Sequence, residues 1–162
     1  MLFALLIAAV TPQQPWVEMS AGPAFLHQSG KSGVGSGPLL RLDLGYPFQE
    51  DRLAAELWLS GNLQNAPMGS PGDSAIVAAG AGGRILMARL DSEGKVGLWA
   101  HAGGGWGAVA AGDGAPGPTG FAGALVTFQP FLKRFQLGAE LDAVAYRHAI
   151  GAAVLPSLRC TF

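Results

Sequence analysis

Of the 162 residues, three histidines and one cysteine are the side chains best suited to nucleophilic, acid–base or metal chemistry, and their spacing limits what each can do. His27 and Ser29 stand two apart in "HQSG", where an imidazole could serve as base for a serine attacking an ester. As a bare pair they read by default as polar loop residues, and no catalytic residue is assigned. His101 could titrate or hold a metal. No second histidine shares its strand, so its expected role is in an interior polar network. "HAGGGWG" and "GAGG" resemble phosphate loops but lack the Lys-Ser/Thr ending and a following helix, which excludes nucleotide binding. Cys160 stands alone, so neither an internal disulfide nor a multi-cysteine zinc site can form. No cofactor and no metal is expected.

The elements that carry these residues are strands. "LLRLDLGYPF" alternates Leu40, Leu42, Leu44, Tyr46 and Phe48 with Leu39, Arg41, Asp43 and Gly45, a period of two that gives one apolar and one polar face. The same reading, with Gly, Pro and Asp turns as punctuation, predicts eight strands: Pro15–His27, Gly37–Phe48, Arg52–Leu63, Ser74–Leu90, Lys95–Val109, Thr119–Phe131, Phe135–Tyr146 and Ala153–Phe162. Most are far longer than the usual strand of about 5–6 residues and match the roughly 9–11 that a tilted strand needs to cross a bilayer. "HQSGKSGVGSG", "QNAPMGSPGDS", "AAGDGAPGPT" and "RHAIG" read as loops, and "QED", "DSEG" and "LKR" as tight turns between them. Loops at one end and turns at the other is the arrangement of an up-and-down barrel in an outer membrane.

Phase separates the side chains cleanly. Val17, Met19, Leu40, Leu42, Leu57, Leu59, Leu98, Leu137, Leu141 and Leu158 share one face with no charge among them. Glu18, Arg41, Asp43, Glu56, Arg84, His101, Glu140, Asp142 and Arg159 fall on the other. Lys31, Lys95 and Lys133 all lie in loops or turns, so the strand cations are arginines, the residue suited to enclosed ion pairs. The polar face therefore reads as the inside of a narrow barrel, acceptable only where its charges pair. Trp58 and Trp99 share its phase and read as plugs.

Composition points the same way. Only 13% of residues are charged, against roughly 25% in an ordinary soluble domain, and 25 glycines disfavour helices. With 10 Lys+Arg against 11 Asp+Glu no basic face invites nucleic acid. The N-terminal "MLFALLIAAV" is too short for a membrane-spanning helix and fits the apolar part of a secretory signal, so 1–14 is expected to be a signal peptide and 15–162 the barrel. Trp16, Tyr46, Phe48, Phe131 and Phe135 lie near strand ends and are expected to form an interfacial aromatic girdle at the turn end, with Phe25, Trp106, Phe121 and Tyr146 toward the other interface.

The even strand count, the alternation of loops and turns, the polar interior and a last strand "VLPSLRCTF" ending on phenylalanine resemble the small eight-stranded outer membrane barrels of Gram-negative bacteria, the OmpA transmembrane domain and OmpX kind. The resemblance implies that Phe162 belongs to the signal read by the barrel-assembly machinery. It further implies an all-β antiparallel transmembrane barrel in the outer membrane, in contact with the bilayer and lipopolysaccharide, monomeric, and of structural or surface-interaction type. Eight strands enclose a lumen that side chains fill, so no open pore is expected. A soluble lipocalin-like barrel with the leucines lining a ligand cavity is the rival architecture. An outer-leaflet lipid A acyl hydrolase is the rival activity, because barrel-type deacylases use a His-x-Ser pair similar to His27 and Ser29; theirs comes late in the chain and is followed by Asn, whereas this one is in the first strand and followed by Gly.

Overall fold

The computed structural model describes residues 14–30, 33–49, 51–65, 73–111, 116–130, 132 and 134–162. Eight strands form in order: β1 (Trp16–Gln28), β2 (Gly35–Phe48), β3 (Leu53–Gln64), β4 (Ser74–Arg89), β5 (Val96–Ala111), β6 (Gly117–Phe128), β7 (Phe135–Tyr146) and β8 (Ala149–Thr161). Each pairs antiparallel with its neighbours, and β8 returns to β1 to close a barrel. Among the described residues closure leaves no strand at an open edge of the sheet, which hydrocarbon would not tolerate.

Period-two alternation fixes which face is wet. In β2, Leu40, Leu42 and Leu44 are 58%, 47% and 52% exposed, whereas Arg41 and Asp43 are 3% and 0% exposed. The leucines face outward and the charges inward, the inverse of a water-soluble barrel, so the lipocalin-like arrangement is not the one this chain adopts. The belt continues through Leu57, Leu59, Leu137, Leu141 and Leu158, all outward. An exterior of this kind is at home in lipid.

Turn chemistry sets the register at one end. Gln49 and Asp51 take positive φ in the turn from β2 to β3, and Gly94 does so in the turn from β4 to β5. In that second turn Asp91 Oδ1 accepts the Val96 N–H at 2.7 Å, and the bond holds the Asp91 carboxyl below its ordinary range.

One connection differs from expectation. "RHAIG" reads as a loop, but only Arg147 and His148 lie between β7 and β8, because Ala149 pairs directly with Tyr146. The alternation already holds there, with Ala149 buried and Ile150 exposed. Ala149–Ala152 therefore extend β8 rather than the loop.

Candidate functional site: the charged interior

Inside the barrel, alternation delivers one inward side chain every second residue, and the strands bring their charges together as two hubs. At the first, Arg41 of β2 serves three carboxylates. Its Nε donates to Asp43 Oδ2 at 3.0 Å, its Nη1 to Asp142 Oδ2 at 2.7 Å, and its Nη2 to Glu140. His101 of β5 meets the other oxygen of Asp142 at 2.7 Å, and the Phe121 ring lies 4.3 Å from the guanidinium carbon of Arg41. All of these groups are buried.

At the second hub one carboxylate gathers two arginines. Glu18 Oε2 accepts from Arg84 Nη1 at 2.8 Å and from Arg159 Nη2 at 2.8 Å, while Ser157 donates to Oε1 at 2.7 Å. Arg84 also donates to Glu56, and Arg159 to Gln136 at 3.2 Å. Both guanidinium carbons stand over the Trp16 ring, at 4.4 and 4.1 Å. A desolvated cation on an indole face is worth about 2 kcal/mol.

Toward the loop end the interior becomes apolar. Leu26, Leu39, Trp58, Phe121, Val144 and Leu155 belong to one buried cluster, with Trp58 and Phe121 edge to face at 5.6 Å. Asn62 donates to the Tyr146 hydroxyl at 3.2 Å beside it. Trp58 was expected as a plug from its phase, but the aliphatic and Phe121 side chains packed around it were not, since the rest of the inward face was expected to be polar. Leu39 carried the signal, because it stands on the same strand face as Arg41 and Asp43.

The inward group expected from sequence thus maps as follows. Glu18, Arg41, Asp43, Glu56, Arg84, His101, Glu140, Asp142 and Arg159 are all buried inside the barrel. Tyr46, Phe48 and Phe135 are exposed on the outer face near the turn end. Phe131 lies outside the described residues. Trp16 requires a correction. It is 3% exposed and faces inward, because it shares the phase of Glu18 and its indole is held by two arginines rather than by headgroups. Phe121 likewise turns into the plug instead of toward the interface. Phe162 is exposed, its N–H bonded to the Pro15 carbonyl at 3.0 Å where β8 meets β1.

His27 and Ser29 are both exposed at the loop end. His27 Nδ1 is engaged by the Gly33 carbonyl at 3.0 Å, and the Ser29 N–H donates to the His148 carbonyl at 2.8 Å. Among the described residues no hydrogen bond joins the imidazole to the serine hydroxyl. His101, Glu140 and Asp142 bring donor atoms within 4.8 Å of one another, but Arg41 already bonds both carboxylates and would oppose a cation there.

An all-β, closed, eight-stranded antiparallel wall with charges inside and leucines outside defines the fold of a small outer membrane β-barrel. No protein-family model matches the chain, and no curated protein matches it by sequence. Solved structures do. Neisserial surface protein A (NspA) superposes with a TM-score of 0.69 at 16% identity, covering 91% of this chain and 97% of its own. Ail, the attachment invasion locus protein of Yersinia pestis, superposes at 0.60 with 14% identity, covering 93% and 99%. Ail in complex with the heparin analogue sucrose octasulfate gives 0.50 at 16% identity, covering 92% and 99%. At these identities the likeness is one of fold.

Proposed function

We propose that this chain is an integral protein of the Gram-negative outer membrane, of structural or surface-interaction type, acting through its loop end and without enzymatic activity. The observation that carries the reading is the inversion of polarity across the wall, with Leu42 exposed to the outside and its neighbours Arg41 and Asp43 sealed inside. The two hubs and the plug obstruct the lumen between the turn-end mouth and the loop end, which supports a barrel closed to solutes. NspA is named a surface protein and Ail an attachment invasion locus protein, and both share this architecture. The engagement of His27 by the Gly33 carbonyl supports a rim role for the His27–Ser29 pair. Phe162, exposed at the end of β8, is suited to be read by the barrel-assembly machinery, and the leucine belt to contact bilayer lipid and lipopolysaccharide as a monomer.

The test places single cysteines at Leu42 and Asp43 in a Cys160→Ser background and labels intact cells and micelle-refolded protein. The reading expects reaction at 42 with a lipid-soluble thiol reagent alone and shielding at 43. Aqueous labelling at 43 in protein from the soluble fraction would reject it. Unitary conductance in planar bilayers would reject the closed lumen, and acyl-chain release from lipid A, abolished by Ser29→Ala, would reject the non-enzymatic reading.

A further inference from the structure

The turn end of the barrel holds a cavity of about 540 Å³ that the ion network leaves unfilled. Four cations border it, Arg84, Arg89, Lys95 and Arg159, against a single carboxylate, Asp51. Their charges are not equally answered. Arg84 and Arg159 are met from beneath by Glu18 and Glu56, and Lys95 pairs with Glu93 at the rim. Arg89 donates Nη1 to the Gly94 carbonyl at 2.9 Å, a bond that positions the guanidinium without neutralising it. Arg84, fully buried, keeps Nη2 without a hydrogen-bond partner among the described residues.

The rest of the wall is neither greasy nor blank. Trp99, half-buried and tethered by its Nε1 to Thr127 Oγ1 at 3.1 Å, forms one side. Gln136 and Thr161 add amide and hydroxyl groups. The volume falls within the range of about 300–1,000 Å³ typical of small-ligand pockets, which combine an apolar surface with a few convergent polar groups. Arg89, which no carboxylate meets in an ion pair among the described residues, is the group that draws an anion, while the indole and the neutral donors suit a body with both C–H faces and hydroxyls.

We propose that the turn-end cavity binds a small hydroxylated organic anion, a sugar phosphate in size and chemistry, with Arg89 and Lys95 as its electrostatic anchors and Trp99 as its ring contact. The site lies inside the barrel mouth and is separate from the loop end invoked above, so its failure would leave the surface reading intact.

The probe is glucose 6-phosphate, titrated into the micelle-refolded protein while tryptophan emission is followed, with glucose and inorganic phosphate as separate titrations. A saturable change with glucose 6-phosphate is expected, absent with glucose over the same range, weaker with inorganic phosphate and lost in Trp99→Phe. Arg89→Gln combined with Lys95→Gln should weaken it at least tenfold; both positions lie at the turn, and a heat-dependent shift in gel mobility reports that the variant is folded. A second readout needs neither substitution. In a Gln136→Cys, Cys160→Ser protein, glucose 6-phosphate should slow labelling by an aqueous thiol reagent. No saturable change, a change unaltered in the double variant, or an undiminished labelling rate overturns the proposal.

Discussion

Trp16 and Gly45 face each other across the β1–β2 pair, and the indole occupies the space where a Cβ on residue 45 would stand. The glycine is therefore part of the Trp16 site. A large ring beside a glycine on a neighbouring strand covers backbone that would otherwise be bare, and it also holds the strand register. Gly45→Val should expel the indole from between Arg84 and Arg159 and destabilise the barrel by about 1–3 kcal/mol, the usual cost of overpacking. Urea unfolding of the refolded protein, followed by tryptophan emission, measures it; an unchanged midpoint would show that Trp16 moves aside freely.

Arg41 is the only cation bonded to Asp43, Glu140 and Asp142 among the described residues. Arg41→Met retains the bulk, strands the buried carboxylates of Asp43 and Glu140 and leaves Asp142 with His101 alone, and breaking a buried ion pair from one side costs about 3–5 kcal/mol. Arg41→Lys should recover part of this at most, since an ammonium lacks the planar fork that reaches three partners in one plane. Equal stability of the Met and Lys variants would count against the hub as drawn.

The lipid-facing side answers to a different rule. Leu42→Arg, near the middle of β2, should cost about 2–4 kcal/mol, the penalty for a cation at the bilayer midplane of a barrel. Leu42→Ile should fold like the parent. Refolding yield into phosphatidylcholine vesicles, read by heat-modifiable gel mobility, distinguishes the two, and efficient insertion of the arginine variant would contradict the outward placement of Leu42.

Asp91 gives a pH dependence outside the membrane. Its carboxyl titrates below its ordinary value of about 3.8, chiefly because it accepts the Val96 N–H. With a folded-state pKa lowered, its contribution is present above the ordinary value and disappears as pH falls through the folded one. The protection factor of the Val96 amide, the intrinsic exchange rate over the observed rate at the same pH, should therefore fall on acidification below pH ~4. In Asp91→Ala the protection factor should be low at every pH, and parent-like protection in that variant would dismiss the bond.

Much of this was legible because alternation in a strand has only two phases. Once "LLRLDLGYPF" set leucines against Arg41 and Asp43, the low charge of the whole chain and the confinement of lysine to turns decided which phase met lipid. Trp16 was misjudged because its position at a strand end was weighed above its phase, which is that of Glu18. Phe121 and Leu26 were obscured for another reason: whether an inward residue joins a charge or a plug depends on its height in the lumen and its neighbours across it, and no one-dimensional pattern carries that. The early start of β8 escaped because Gly151 and two small alanines look like loop. Gly151 is in fact where β8 approaches the Phe25 backbone too closely for a side chain.

Several partners in the two hubs are far apart along the chain and meet only in the closed barrel. Arg41 meets carboxylates about a hundred positions away, and Glu18 of the first strand waits for Arg159 of the last. A sheet of the first seven strands would hold Glu18 without Arg159 or Ser157 and would present that shortfall to hydrocarbon along an open seam. Pairing of β8 with β1 therefore does two things at once: it supplies Ser157 and Arg159 to the buried Glu18 carboxylate, and it removes the seam that hydrocarbon would not tolerate.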